Sequence, residues 1–296
     1  MTSITLIGPG AIGGTAAIAL AEGGAHDLTI CANQSFDQLV WTRSDSGAER
    51  SFPAKVATHP RDAAQADWVL LAVKSHQTES AAAWLRATVG PHTKLAVLQN
   101  GVEHRARVAP FIPAGTPVVP VVVQLPAQRT APGRITTYGP ALFIVGDDGP
   151  CREFASLFDG TFLKVQTDSD FRTREWEKLC LNAASGSLTT LTMDPDCIAR
   201  VPELRDLATR IIAECVAVGT AEGARFADGY AENLATMLAS RRGNRGNSMF
   251  YDRRDGKRLE WDARNGVIAR LGAKHGIATP VSATLVPLLR GLDPKA

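Results

Sequence analysis

The sequence predicts an α/β domain built on a parallel sheet, followed by an all-helical domain. Three observations carry that prediction. Strand and helix patterns alternate in the first half, around the continuous apolar run D-W-V-L-L-A-V at 67–73, as expected of a strand buried on both faces. A glycine cluster, G-P-G-A-I-G-G, sits between the first strand and the first helix. From about Asp170 onward the pattern is helical, with no strand after about residue 166. A chain of 296 residues suggests one large or two ordinary domains, and the change of pattern near 166–170 points to two, at 1–168 and 169–296.

Taken in order, Ser3 to Ile7 reads as an extended apolar strand and residues 11–23 as an alanine-rich helix. Leu28 to Cys31 is a second strand, and 36–58 an excursion with short strands. After the 67–73 strand come a helix at 76–88 and the strand K-L-A-V-L-Q-N at 94–100, so the links are those of βαβ units. Residues 116–165 hold more Pro and Gly and several short β runs, such as P-V-V-P-V-V-V-Q and R-I-T-T-Y. Helical periodicity then dominates at 171–191, 202–223, 228–241 and 259–274.

Composition excludes several classes. With 32 basic and 30 acidic residues the net charge is +2, which offers neither nucleic acid nor a membrane surface an electrostatic footprint. Arg241 to Arg258 does carry seven basic and two acidic residues, with Phe250 and Tyr251 among them; a solvated segment partly lining a site is the expected reading. The five cysteines form no C-x-x-C pair and their odd number argues against a disulfide framework, while His26, His59 and His92 show no ligand spacing; no metal is expected. No basic residue precedes the opening apolar stretch, which speaks against a signal peptide, and no run approaches a membrane span of about 20 residues. A soluble cytoplasmic protein is expected.

Gly8, Gly10 and Gly13 fit G-x-G-x-x-G after a strand and at a helix start, the context a dinucleotide pyrophosphate needs. Gly8 permits the tight turn, Gly10 lets the backbone approach the pyrophosphate, and Gly13 lets helix and strand pack closely. Pro9, Ala11 and Ile12 complete the loop, whose free N–H groups and positive dipole end face the phosphates. The fold class is therefore a Rossmann-type dinucleotide-binding domain followed by a helical domain. About twenty residues on, where an NAD site places a carboxylate, the chain has Asn33. Asn33 and Ser35 can donate to a phosphate and no carboxylate repels one, so NADP is expected, with NAD as the alternative. Lys74 and Asn100 follow strands at the edge where such sheets bind ligands.

In the helical half, Trp176, Leu179 and Ala183 form an apolar stripe, while Lys178, Asn182 and Gly186 recur at i, i+4 and i+8. Lys178 and Asn182 are about 6 Å apart along the axis. Further on, Ser248 precedes Glu260 by twelve residues. With these segments in place the chain resembles the ketopantoate reductase family (2-dehydropantoate 2-reductases). The resemblance spans nearly the whole chain, through G-P-G-A-I-G, V-K-S-H-Q-T, Q-N-G-V, W-E-K-L-C-L-N, N-S-M and G-K-R-L-E-W-D-A-R-N-G in order.

The resemblance implies a Rossmann domain joined to a helical domain, with the active site in the cleft. It implies that Lys178 is the catalytic lysine, donating a hydrogen bond and then a proton to the ketone oxygen as hydride arrives. At an ordinary pKa of about 10.4 such a lysine donates without unusual tuning. Glu260 would orient the substrate or Lys178, and reach the cofactor as well. Asn100, Asn182 and Ser248 would hold the 2-oxo acid, and Lys74 and Asn100 would contact the cofactor. The expected product is pantoate or a related 2-hydroxy acid.

Four positions depart from the family pattern. The family's N-P-L-T is G-S-L-T here, so Gly186 stands where a substrate-contacting Asn is usual. N-x-S-S-M becomes N-R-G-N-S-M, which puts Arg245, or with one extra residue Asn244, on the usual Asn. Leu259 replaces the Thr before the glutamate, and Asn33 the adenosine-end Arg. A retained reaction with a shifted substrate is expected: loss of the 186 side chain enlarges the pocket, and Arg245 can bind a second anionic group. The alternatives are a β-hydroxyacid dehydrogenase or imine reductase, which lack the spaced Ser–Glu segment, and a non-catalytic NADP-binding regulator, which needs no Lys178–Glu260 pair. The oligomeric state stays open, a homodimer included.

Overall fold

The computed structural model of the chain describes residues 1–241, 243 and 245–294. It divides into two compact units, Met1–Phe171 and Arg172–Ala296.

The first unit contains strands β1 (Thr2–Ile7), β2 (His26–Cys31), β3 (Gln38–Arg43), β4 (Glu49–Pro53), β5 (Val56–Ala57), β6 (Trp68–Leu71), β7 (Lys94–Val97), β8 (Val118–Pro120), β9 (Val122–Gln124), β10 (Ala127–Ala131), β11 (Arg134–Thr137), β12 (Leu142–Val145) and β13 (Lys164–Thr167). Its helices are α1 (Ala11–Gly23), α2 (Ala82–Thr88), α3 (His104–Val108) and α4 (Gly149–Ser156). Six strands form a parallel sheet in the order β5-β2-β1-β6-β7-β8. The chain moves outward from β1 to β2 on one side and returns to β6 on the other, so β1 and β6 flank a topological switch point. Register aligns Ile7 with Leu71 and Leu71 with Val97, which brings the carboxyl ends of three strands to one edge.

Period-2 alternation explains why the 67–73 run is apolar throughout. Trp68 and Leu70 join the core that includes α1, whereas Val69 and Leu71 join the core under α2 and α3. The remaining strands make two smaller sheets, β10-β11-β3-β4 and β13-β12-β9. The helix expected at 76–88 is shorter: a 3-10 turn at Ser75–Gln77 precedes α2, because the strand exit at Lys74 first bends back on Gln77.

The second unit is helical among its described residues: α5 (Phe171–Thr192, from the unit boundary), α6 (Cys197–Arg200), α7 (Pro202–Ala221), α8 (Tyr230–Ser240), α9 (Ser248–Arg254), a π-helical turn at Asp262–Gly266, α10 (Val267–His275) and α11 (Pro280–Gly291). Trp176 on α5 is fully buried, and a Cβ at Gly219 on α7 would lie 2.9 Å from its ring, so that glycine makes room for it. The carboxylate of Glu214 on α7 accepts from the backbone N–H groups of Val281 (2.7 Å) and Ser282 (2.8 Å), capping α11 from a distant element. No described helix is long and apolar enough to cross a membrane, and no group of three metal-ligating side chains occurs among the described residues.

Candidate active site

In the first unit the site is built from backbone. Gly8 has φ +93°, and a Cβ there would lie 2.6 Å from Val73 Cγ1 and 2.9 Å from Val73 N. A Cβ on Gly13 would run into the carbonyl oxygen of Gly8 and lie 2.9 Å from Ala72 Cβ, so both glycines are required by the protein itself. Gly10 is different. Its φ of −74° suits any residue, and among the described residues no atom beyond its own chain neighbours lies within 4 Å of an added Cβ. What Gly10 leaves open is space above the start of α1, whose N-cap carries no side-chain acceptor and whose first turn has no acidic residue. Unfilled N–H donors and an uncovered backbone fit a dinucleotide pyrophosphate.

Asn33 is exposed just beyond β2, and Pro9, Ala11 and Ile12 lie in the turn and the first turn of α1. Lys74 and Asn100 follow β6 and β7. Buried Gln99 ties their two loops together: its Nε2 donates to Val73 O (3.1 Å) and to Thr78 Oγ1 (2.9 Å), while its own carbonyl is hydrogen-bonded to His104 Nε2 (2.8 Å). Arg107 donates to Asn100 O at 3.3 Å. Gly8–Gly13, Asn33, Lys74 and Asn100 thus share the carboxyl edge of one sheet.

In the second unit the site is built from side chains. Lys178 and Asn182 lie one turn apart on α5, both half-buried, and the Lys178 ammonium has no hydrogen bond or ion pair among the described residues. Burial, then the charges of Arg264 and Arg241, bring its pKa down to about 8. That corrects the expectation of an untuned lysine: two neighbouring cations and poor hydration both oppose its charged form.

Ser248 opens α9, which packs on the second half of α5. Asn247 Oδ1 caps α9 by accepting from Met249 N and Phe250 N, both at 3.1 Å, while its Nδ2 donates to Ser185 O (3.0 Å) and Thr189 Oγ1 (2.7 Å) on α5. Arg253 donates to the carbonyls of Thr190 and Leu191. Glu260 is buried, only 2 % exposed. Arg245 is exposed on the segment before α9, and Asn244 lies outside the described residues.

The residue that sequence reasoning missed is Arg264. It sits in the π-helical turn, is 1 % exposed, and donates from Nη2 to Ser248 Oγ (2.8 Å) and from Nη1 to Asn182 O (3.4 Å). Burial lowers its proton affinity, and the charges of Glu260 and Asp252 oppose that. A Cβ on Gly186 would lie 2.5 Å from Arg264 Nη1, so the absent side chain at 186 does not enlarge the pocket; a guanidinium fills the space. The neighbouring Asn265 is fully buried, and neither end of its amide finds a partner among the described residues. The available signal was R-N inside a run otherwise spaced as an apolar helix face. A π turn, common where a helix is bent around a function, carries both inward.

Comparison with known proteins agrees along the whole chain. The family model described as Ketopantoate reductase PanE/ApbA matches residues 4–149, and that of its C-terminal part matches residues 170–293. A 2-dehydropantoate 2-reductase of Caulobacter vibrioides is 42% identical, with 98% of each chain covered. Among solved structures, a PanE/ApbA family ketopantoate reductase from Ralstonia eutropha superposes with a TM-score of 0.88 at 26% identity over 99% of each chain. A dimeric ketopantoate reductase from Staphylococcus aureus gives 0.87 at 24% identity over 98% of each.

Proposed function

We propose that this chain, which belongs to the ketopantoate reductase family, uses NADPH to reduce ketopantoate or a 2-oxo acid close to it. Reduction of a 2-oxo acid to a 2-hydroxy acid by a nicotinamide cofactor is the activity. The observation that most supports the reading of the site is Lys178: a half-buried ammonium tuned to about 8, one helical turn from Asn182 and in the field of Arg264.

The turn at Gly8–Gly13 holds the pyrophosphate, with Lys74 and Asn100 reaching the cofactor from the same sheet edge. NADPH, when bound, supplies the hydride that the substrate's carbonyl carbon takes up. Lys178 donates a hydrogen bond to the ketone oxygen, stabilises the negative charge that develops there and transfers its proton; solvent then reprotonates the amine. A pKa near 8 leaves the amine mostly protonated at neutral pH, yet makes it a better acid than an ordinary lysine. Ser248 and Asn182 hold the 2-oxo acid, and Glu260 orients it. The preference for NADPH rests on Asn33, since no carboxylate at that position repels a 2′-phosphate. Arg245 is proposed to meet a second anionic group, and Asn244 is the alternative at that position. The assembly is proposed to be a homodimer, the state of the Staphylococcus aureus enzyme.

The test is loss of NADPH absorbance with ketopantoate and a panel of 2-oxo acids, run in parallel with NADH. Turnover of ketopantoate at a kcat/KM at least tenfold above that of the other acids, and faster with NADPH, is expected. Consumption of no oxo acid above background would sink the proposal.

A further inference from the structure

We propose that Arg264 is a positioning residue of the substrate site: its guanidinium occupies the volume that Gly186 vacates and fixes the Ser248 hydroxyl as a donor toward the substrate carboxylate. The inference rests on the reading above that Ser248 holds a 2-oxo acid.

The geometry carries it. Arg264 is almost wholly enclosed, with Nη2 2.8 Å from Ser248 Oγ and Nη1 3.4 Å from Asn182 O. The Gly186 side of its pocket has no spare room, for a Cβ there would come within 2.5 Å of Nη1, 3.4 Å of Met249 Cε and 3.6 Å of Arg264 Cδ. A guanidinium has five donors and no acceptor, so Ser248 Oγ must accept in this bond. The hydroxyl proton is then left to donate elsewhere, and Ser248 is exposed at the start of α9. A hydroxyl that accepts a charge-assisted bond is polarised, which makes it the stronger donor. Ser248 thereby becomes selective for an anion over a neutral carbonyl.

The charges facing this group come from several elements. Lys178 on α5 and Arg241 after α8 add positive charge, while Glu260 before the π turn and Asp252 on α9 offset it. Arg264 therefore acts twice, through Ser248 by hydrogen bonding and on Lys178 by charge.

The experiment uses the full chain with Arg264→Met, Arg264→Lys, Gly186→Ala and the Gly186→Ala/Arg264→Met pair. Calorimetric affinity for pantoate in the presence of NADP is measured alongside steady-state kinetics, thermal melting and the pH profile of kcat/KM. Arg264→Met should weaken pantoate affinity and raise KM about tenfold, the size of one charge-assisted hydrogen bond. It should also move the alkaline limb to higher pH. Melting should fall in Arg264→Met, since Glu260 and Asp252 lose a buried counter-charge, and hold better in Arg264→Lys. The pH limb and the lysine variant are therefore the readouts that a merely structural role would not move. Arg264→Lys should keep the limb in place by keeping the charge, yet lose the affinity, because an ammonium lacks the two-pronged reach. Gly186→Ala should weaken binding alone and add nothing in the Arg264→Met background.

Affinity and pH limb unchanged in Arg264→Met overturn the inference. So do additive effects of the pair, or a loss of melting temperature in every variant without movement of the limb. If wild type binds pantoate in an Arg264-dependent way but turns over no oxo acid, the reductase reading fails and the inference stands. If wild type neither binds nor turns over, both fail.

Discussion

The dinucleotide turn and the lysine site of the helical unit are built on opposite principles. At Gly8–Gly13 the absence of side chains makes the site: two glycines are demanded by backbone packing, and the third leaves an open surface. Around Lys178 the site is an arrangement of side chains from α5, α9 and the π turn, in which a buried cation stands in the gap left by a glycine. The first kind of site is local in sequence and tolerant of what surrounds it. The second is assembled from residues 178 to 264 and depends on how three helical elements dock.

The comparison breaks first at Lys178. Lys178→Ala should lower kcat by about 10²–10⁴-fold while NADPH affinity, measured by fluorescence titration, stays within about twofold. Unchanged turnover would remove Lys178 from the chemistry. The turn is next. Gly13→Ala drives a methyl into the Gly8 carbonyl and Ala72, so a stability loss of about 1–3 kcal/mol is expected in thermal or urea unfolding. Gly10→Ala meets no protein atom, so its melting should match wild type while the NADPH dissociation constant rises about tenfold. Equal stability losses in the two variants would show that Gly10 serves the fold and not a ligand.

The pH profile sharpens the side-chain site. In the proposed role Lys178 acts in its acid form, which persists below its pKa. With that value lowered to about 8, kcat/KM should be level at neutral pH and fall about tenfold per unit in the alkaline range. A limb near the ordinary lysine value would contradict the burial and the neighbouring cations. The smallest effect is expected at Asn247. Asn247→Ala removes the α9 cap and the two bonds to α5, costing about 1–2 kcal/mol in unfolding, with a modest rise in KM because Ser248 is the next residue.

Much of the first unit was legible. The bounds of α1 follow from alanine-rich periodicity ending at glycines, and D-W-V-L-L-A-V reads as a strand buried on both faces, as Trp68–Leu71 is. The helical unit was legible in its long amphipathic helices but not in α9 or α11. The charged stretch from Arg241 to Arg258 reads as a solvated segment; its part from Ser248 to Arg254 is helical because Asn247 caps it and α5 receives it. Pro287 lies inside α11 and breaks the pattern a helix search looks for, whereas the cap comes from Glu214, more than sixty residues away. The 259–274 segment was expected as one helix, but residues 259–261 are not helical and a π turn at Asp262–Gly266 precedes α10, carrying buried Arg264 and Asn265. Gly186 was legible as a missing side chain, but not what fills its place.

By itself the sequence determined the strand–helix alternation around the parallel sheet, the long helices of the second unit, the glycine turn, and the family in whose motifs Lys178, Ser248 and Glu260 stand. These depend on short-range rules: periodicity, the conformational freedom of glycine, and residue spacing along one element. Only the tertiary structure decided that Arg264 fills the Gly186 gap, that Ser248 accepts from it, and that Lys178 titrates well below an ordinary lysine. The physical reason is that exclusion of water and the fields of neighbouring charges depend on distances in space, and residues 178, 186, 248 and 264 become neighbours only when their helices pack.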